Sequence, residues 1–128
     1  MSVWRWVRLD TVLAVHDRQI AQHGGLDGLR DRGALESTLH RPQHLAEYGQ
    51  PDVAGLAAAL CWGLARNHCF ADGNKRTAWV AARLFLADNG ATLAFDPGEA
   101  VRMVEAVAAG SVSQEGLAAW FRERLAHR

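Results

Sequence analysis

No charge of one sign dominates this chain. Its 14 Lys and Arg residues are balanced by 14 Asp and Glu residues. It therefore carries no basic field, and duplex DNA or RNA is not an expected partner. A long hydrophobic run is also lacking. The longest largely apolar stretch, Val53 to Ala65, falls short of the roughly 20 residues that span a bilayer, so no membrane partner is expected. Cysteine is scarce, and Cys61 and Cys69 make no disulfide framework. Cys61 sits in an apolar helical stretch and reads as a small packed hydrophobe. A catalytic thiol at Cys69 is disfavoured, because no second histidine in sequence is an evident partner for it. The opening stretch, Met1-Ser2-Val3-Trp4-Arg5-Trp6-Val7-Arg8, has no signal-peptide layout, and no charge block, low-complexity tract or internal repeat is present. A cytoplasmic location is the expectation.

What the chain does have is apolar periodicity. With 49% hydrophobic residues over 128 positions, it reads as one all-α domain, residues 1–128, of about six helices. Residues 3–8 alternate around Trp4 and Trp6, as in a short strand or extended arm. Asp10 is a plausible N-cap for a helix to about His23, closed by Gly24-Gly25. His16 lies on the apolar face of that helix and reads as a satisfied core residue. Leu26 to Arg32 reads as a loop; Arg30 and Asp31 could brace it with a salt bridge or reach a ligand, and bracing is the favoured reading. A short helix is expected from Gly33 to His40, stopped by Pro42, with a polar loop from Gln43 to Pro51.

Asp52 caps the next helix, whose alanine-rich body suits a central buried element. A helix from Lys75 to about Asn89 follows it closely in sequence, with Arg83 read as a surface arginine. Ala91 to Phe95 is a short extended piece. Asp96-Pro97-Gly98-Glu99 is a strong helix start, and that helix ends at Gly110. Ser111 or Ser113 caps the last helix, with Arg122-Glu123-Arg124 on its solvated side.

Between the two central helices lies Asn67-His68-Cys69-Phe70-Ala71-Asp72-Gly73-Asn74-Lys75-Arg76-Thr77-Ala78. A core helix has no use for so many polar groups at one joint. Asn74 is a good N-cap for a helix beginning at Lys75. The first turn of a helix leaves backbone N–H groups unpaired and favours negative charge, so a glycine loop leading into it suits phosphate. Lys75 and Arg76 are cations at the end of a helix that disfavours cations, and two of them together suggest that an anion is expected there. Asp72 offers a hard oxygen ligand for Mg²⁺. His68 ordinarily titrates near neutrality and can take a proton from a hydroxyl. Taken singly, these residues also suit plainer roles: a packed or capping histidine, loop and cap residues, a solvated face. As an ordered set they point to an active site.

The run His68-x-Phe70-x-Asp72-Gly73-Asn74-Lys75-Arg76 resembles the signature of the Fic/Doc family, in its Doc branch of toxins from toxin–antitoxin pairs. The likeness extends upstream to Gly28 through Ser37 and to Arg41-Pro42, and it covers the length and helical layout. The Fic branch, which transfers AMP, typically has a second glycine after the asparagine and a further arginine; here Lys75 and Trp79 occupy those positions. The resemblance implies ATP bound in the reverse sense and a protein kinase acting on a hydroxyl side chain, with a threonine of elongation factor Tu as the family's target. It implies His68 as general base and Asp72 as Mg²⁺ ligand. Gly73 and Asn74 would form the anion loop, and Lys75 and Arg76 would hold phosphate oxygens. It further implies a cognate antitoxin, and a flap at residues 43–51 that helps position the target. AMP transfer, a non-catalytic anion- or peptide-binding module, and a hydrolytic metal site on His68 and Asp72 are the alternatives, in that order.

Overall fold

The third helix is apolar on nearly every side, and the rest of the chain packs around it. From Ala54 to Ala65 every residue but Gly55 and Trp62 is buried. The computed structural model describes residues 3–127, and the side chain of His127 lies outside that description. Its helices are α1 (Leu9–His23), α2 (Arg32–Tyr48), α3 (Val53–Arg66), α4 (Asn74–Asp88), α5 (Pro97–Ala109) and α6 (Gln114–Arg124), with short strands β1 (Ala91–Leu93) and β2 (Leu125–His127). All-α architecture and six helices match the sequence expectation.

Helix α3 touches α2, α4, α5 and α6. Leu56, Leu60 and Leu64 are at most 2% exposed, and burying each contributes about 1.5–3 kcal/mol. Small residues let the neighbours come close. A Cβ on Gly63 would lie 2.8 Å from Thr38 Cγ2 on α2, nearer than two carbons pack. Both ends of α3 are tied down. Asp52 caps the start through Gly55 N–H (2.8 Å) and accepts two bonds from Arg122 of α6 (2.6 and 3.0 Å). At the other end Arg66 donates to Val107 O of α5 (3.0 Å) and lies over the Trp62 ring.

Several boundaries differ from expectation. Pro42 does not stop α2, which continues to Tyr48. An internal proline removes one helix bond and crowds the preceding turn. Here that cost is local, and Leu39 and the Pro42 ring are buried on one side of it while Leu45 and Ala46 pack against the core on the other. Residues 43–48, expected as a polar flap loop, are therefore helical. Asp10 is not the cap of α1. The helix starts at Leu9 without a side-chain cap, and Asp10 accepts from Thr11 N–H and pairs with Arg8 inside the first turn.

Residues 3–8 form an arm rather than a strand. Trp4 and Trp6 lie against Phe85, and the Asn89 side chain mimics a neighbouring strand by bonding Arg5 N–H and C=O, both at 2.9 Å. Asp96 and Ser113 cap α5 and α6 as expected of the former and of one of the two candidate serines. Strand β2 pairs antiparallel with β1, Leu93 opposite Leu125. Arg122-Glu123-Arg124 is not simply a solvated face. Arg122 holds Asp52, while Arg124 lies over Trp120 and pairs with Glu99 of α5.

Candidate active site

The turn from α3 to α4 is pinned from three sides. Asn67 ends α3, and its side-chain amide donates to Thr38 Oγ1 (2.7 Å), which donates in turn to Ala34 O (2.7 Å). The next segment pairs with the loop before α2. Arg30 and Asp31 N–H both donate to Cys69 O (2.8 and 3.1 Å), Ala71 N–H donates to Gly28 O (3.1 Å), and Leu29 and Phe70 form an isolated antiparallel bridge. Arg30 and Asp31 thus brace the loop, but through their backbone N–H groups and not, among the described residues, through the salt bridge expected of their side chains. The Asp31 side chain serves as the cap of α2, accepting from Ala34 N–H. The third anchor is Asn74.

Asn74 is not the N-cap of α4. Gly73 holds that position in the left-handed region (φ 77°), and Asn74 is the first helical residue. Its side chain turns back instead, accepting from Phe70 N–H (3.1 Å) and donating to Phe70 O (3.0 Å). Buried backbone groups need partners, and Phe70 is 2% exposed; the amide satisfies both of its groups. As a result the start of α4 has no side-chain cap, and its first-turn N–H groups remain for a ligand.

At this end of α4 the expected residues converge. His68, Asp72, Gly73, Asn74, Lys75 and Arg76 all border one cleft of about 900 Å³ between α4 and α5, within the size range of small-molecule sites. His68 is exposed and is the one non-glycine residue with positive φ (48°) among the described residues. Such a backbone is costly for a residue with a Cβ, and here it carries the imidazole to the mouth of the cleft. Lys75 and Arg76 are exposed and form no ion pair among the described residues. Asp72 Oδ1 accepts from Gly73 N–H (2.9 Å) and Oδ2 from Leu26 N–H (3.3 Å). These two bonds orient the carboxylate and leave it lone pairs to spare.

Deeper in, Trp79 meets Phe95 edge to face at 5.1 Å, and the Arg83 guanidinium lies over both rings. Arg83 is exposed, as expected, but it belongs to the cleft wall. Across from it α5 supplies Ala100, Val101, Val104 and Ala108. This wall was not foreseen, because it depends on how α5 is laid against α4. Burial pushes the Cys61 thiol up to about 12 and raises that of Cys69 as well. Neither is a nucleophile near neutral pH. Among the described residues, one group of three side chains could converge on a metal, His16, Asp17 and Asp27, with ligand atoms within 4.8 Å of one another. It includes neither His68 nor Asp72.

The family model described as Fic/DOC matches residues 6–86, a span that holds the whole turn and its three anchors. The chain belongs to the Fic/Doc family. Two relatives place it in the Doc branch. "Protein kinase doc" of Escherichia phage P1 is 35% identical over 115 residues, covering 89% of this chain and 90% of the relative. "Toxin Doc" of Mycolicibacterium smegmatis is 44% identical over 101 residues, covering 75% and 77%. The run from His68 to Arg76, which resembles the family's signature, thus lies at the mouth of the cleft, and Lys75 and Trp79 both line it. No helix among the described residues is long and apolar enough to cross a membrane.

Proposed function

We propose that the protein is a Doc-type toxin, a protein kinase that moves the γ-phosphate of ATP onto a Ser or Thr hydroxyl of a translation factor, elongation factor Tu being the expected target. One observation carries this reading: an uncapped helix start, two unpaired cations and an exposed histidine share one cleft mouth. Two relatives bear the names of a protein kinase and a toxin. A cytoplasmic site of action and a cognate antitoxin that silences the enzyme belong to the same proposal.

The donor set fits magnesium bound together with phosphate. Asp72 offers one oriented carboxylate with free lone pairs, and Mg²⁺ is ordinarily held by one or two carboxylates plus phosphate oxygens. When bound, the ion would neutralise charge on the phosphates during transfer. The remaining work falls to the chain. Lys75, Arg76 and the first amides of α4 hold phosphate oxygens. Gly73 lets the backbone approach them closely. The His68 imidazole takes the proton of the attacking hydroxyl as its oxygen bonds to the γ-phosphorus, the bond from that phosphorus to the β,γ-bridging oxygen breaks, and ADP leaves. Lys75 puts bulk and charge where the AMP-transferring branch has a glycine, which supports phosphate rather than AMP as the group passed on.

The decisive experiment incubates the protein with elongation factor Tu and ATP labelled at the α or γ position, with intact mass as readout. The expected result is γ-label alone and a gain of about 80 Da. A gain of about 329 Da with α-label would mean AMP transfer instead. No gain, together with growth arrest that survives His68→Ala, would mean a binding module.

A further inference from the structure

His16 is 2% exposed on α1, far in sequence from the motif, and two interactions tie it to the turn. Its ring stacks on Phe70 with centroids 3.8 Å apart and planes 9° from parallel. Its Nε2 lies 2.8 Å from the Asp72 carbonyl oxygen. A carbonyl oxygen only accepts, so Nε2 carries the proton. The peptide joining Asp72 to Gly73 is planar and trans, and its C=O and N–H point opposite ways. The C=O is held by His16, while the N–H donates to Asp72 Oδ1 at 2.9 Å. One rigid plane therefore links the imidazole, the Asp72 carboxylate and the left-handed glycine that opens α4. Rotating that plane breaks both bonds together. The ring also packs directly against the turn: a Cβ on Gly73 would lie 3.6 Å from His16 Cδ2 and Nε2.

We propose that His16 is a positioning residue for the phosphate-binding turn. Its Nε2–H fixes the Asp72–Gly73 peptide, and through it the direction of the Asp72 carboxylate and of the first amides of α4. The claim rests on the kinase reading for what the turn binds, but not for the bond itself. A histidine with a packing role alone would be replaceable by phenylalanine, which keeps the stack on Phe70 and removes only the donor.

Three variants separate the roles: His16→Phe, His16→Gln, whose amide nitrogen reaches about as far as Nε2, and His16→Ala. NMR of the labelled wild-type protein should detect a coupling across the hydrogen bond from His16 Nε2 to the Asp72 carbonyl carbon. The Gly73 amide resonance should move in the Phe variant and return toward the wild-type position in the Gln variant. Phosphate transfer should fall about 10- to 100-fold in kcat for Phe and Ala, the scale of a misplaced reacting group, with Gln recovering most of it. A missing coupling, or a Phe variant with wild-type kcat and an unmoved Gly73 amide, would overturn the proposal. If the wild-type enzyme transfers no phosphate, the kinase reading fails, and the coupling and Gly73 shifts still decide the role of His16. If the Phe variant does not fold, the coupling and the Gln variant carry the test.

Discussion

At the residue scale, chemistry and conformation are in tension at His68. Its left-handed backbone is disfavoured by about 1–2 kcal/mol for a residue with a Cβ, yet its side chain is exposed and, among the described residues, holds no hydrogen-bond or ion-pair partner that would compensate. His68→Gly should therefore leave stability unchanged or raise it by up to about 1 kcal/mol, after allowing for the extra freedom of glycine in the unfolded chain. It should also abolish transfer, since removing a general base typically costs 10²- to 10⁴-fold. Denaturant midpoints at constant m-value, measured beside the transfer rate, would check both halves. A glycine variant that is clearly destabilised would mean the imidazole is structural. The place of this residue at the joint between two helices was legible in the sequence; its strained backbone was not. Asn74 illustrates the limit from the other side. Its type is right for a cap, but the buried backbone of Phe70 competes for the same amide and wins.

At the element scale, the helices whose ends are marked by local chemistry were the readable ones. Asp52, Asp96 and Gly110 stand where they were expected, because caps act within three or four residues. The course of α2 through Pro42 was not readable, since the packing on both sides of the proline comes from elements distant in sequence. Asp52 shows how local and tertiary roles combine: it caps α3 and also anchors α6 through Arg122. The hydrogen bond from Arg122 holds its carboxyl below the ordinary value of 3.8. A carboxyl lowered on folding stabilises the protein above its unfolded pKa, and that contribution is lost as pH falls through the folded value. Asp52→Asn keeps a capping oxygen and removes the ion pair. It should cost less than about 1 kcal/mol at neutral pH, because the pair is half exposed. The gap to wild type should close as pH drops below 3.8. Asp52→Ala loses the cap as well and should cost about 1–2 kcal/mol. Urea titrations at pH 7 and pH 3 would show whether the pair behaves this way; a gap that widens in acid would contradict it.

At the scale of the whole molecule, the central buried helix and the polar turn at its end were visible in the sequence, and so was the grouping of six residues there. The cleft was not, because its second wall is α5, about 30 residues later in the chain, and only the fold brings that helix opposite Trp79 and Arg83. The proposed use of the cleft rests on phosphate docking at the amino end of α4. The most direct test is a backbone-amide NMR titration with ATP and magnesium. The account predicts that the largest shifts fall on Gly73, Asn74, Lys75 and Arg76 and weaken when magnesium is withheld. Unshifted amides at those four positions, or shifts gathered instead at the separate depression of about 740 Å³ beside His40, His44 and Gln114, would contradict it.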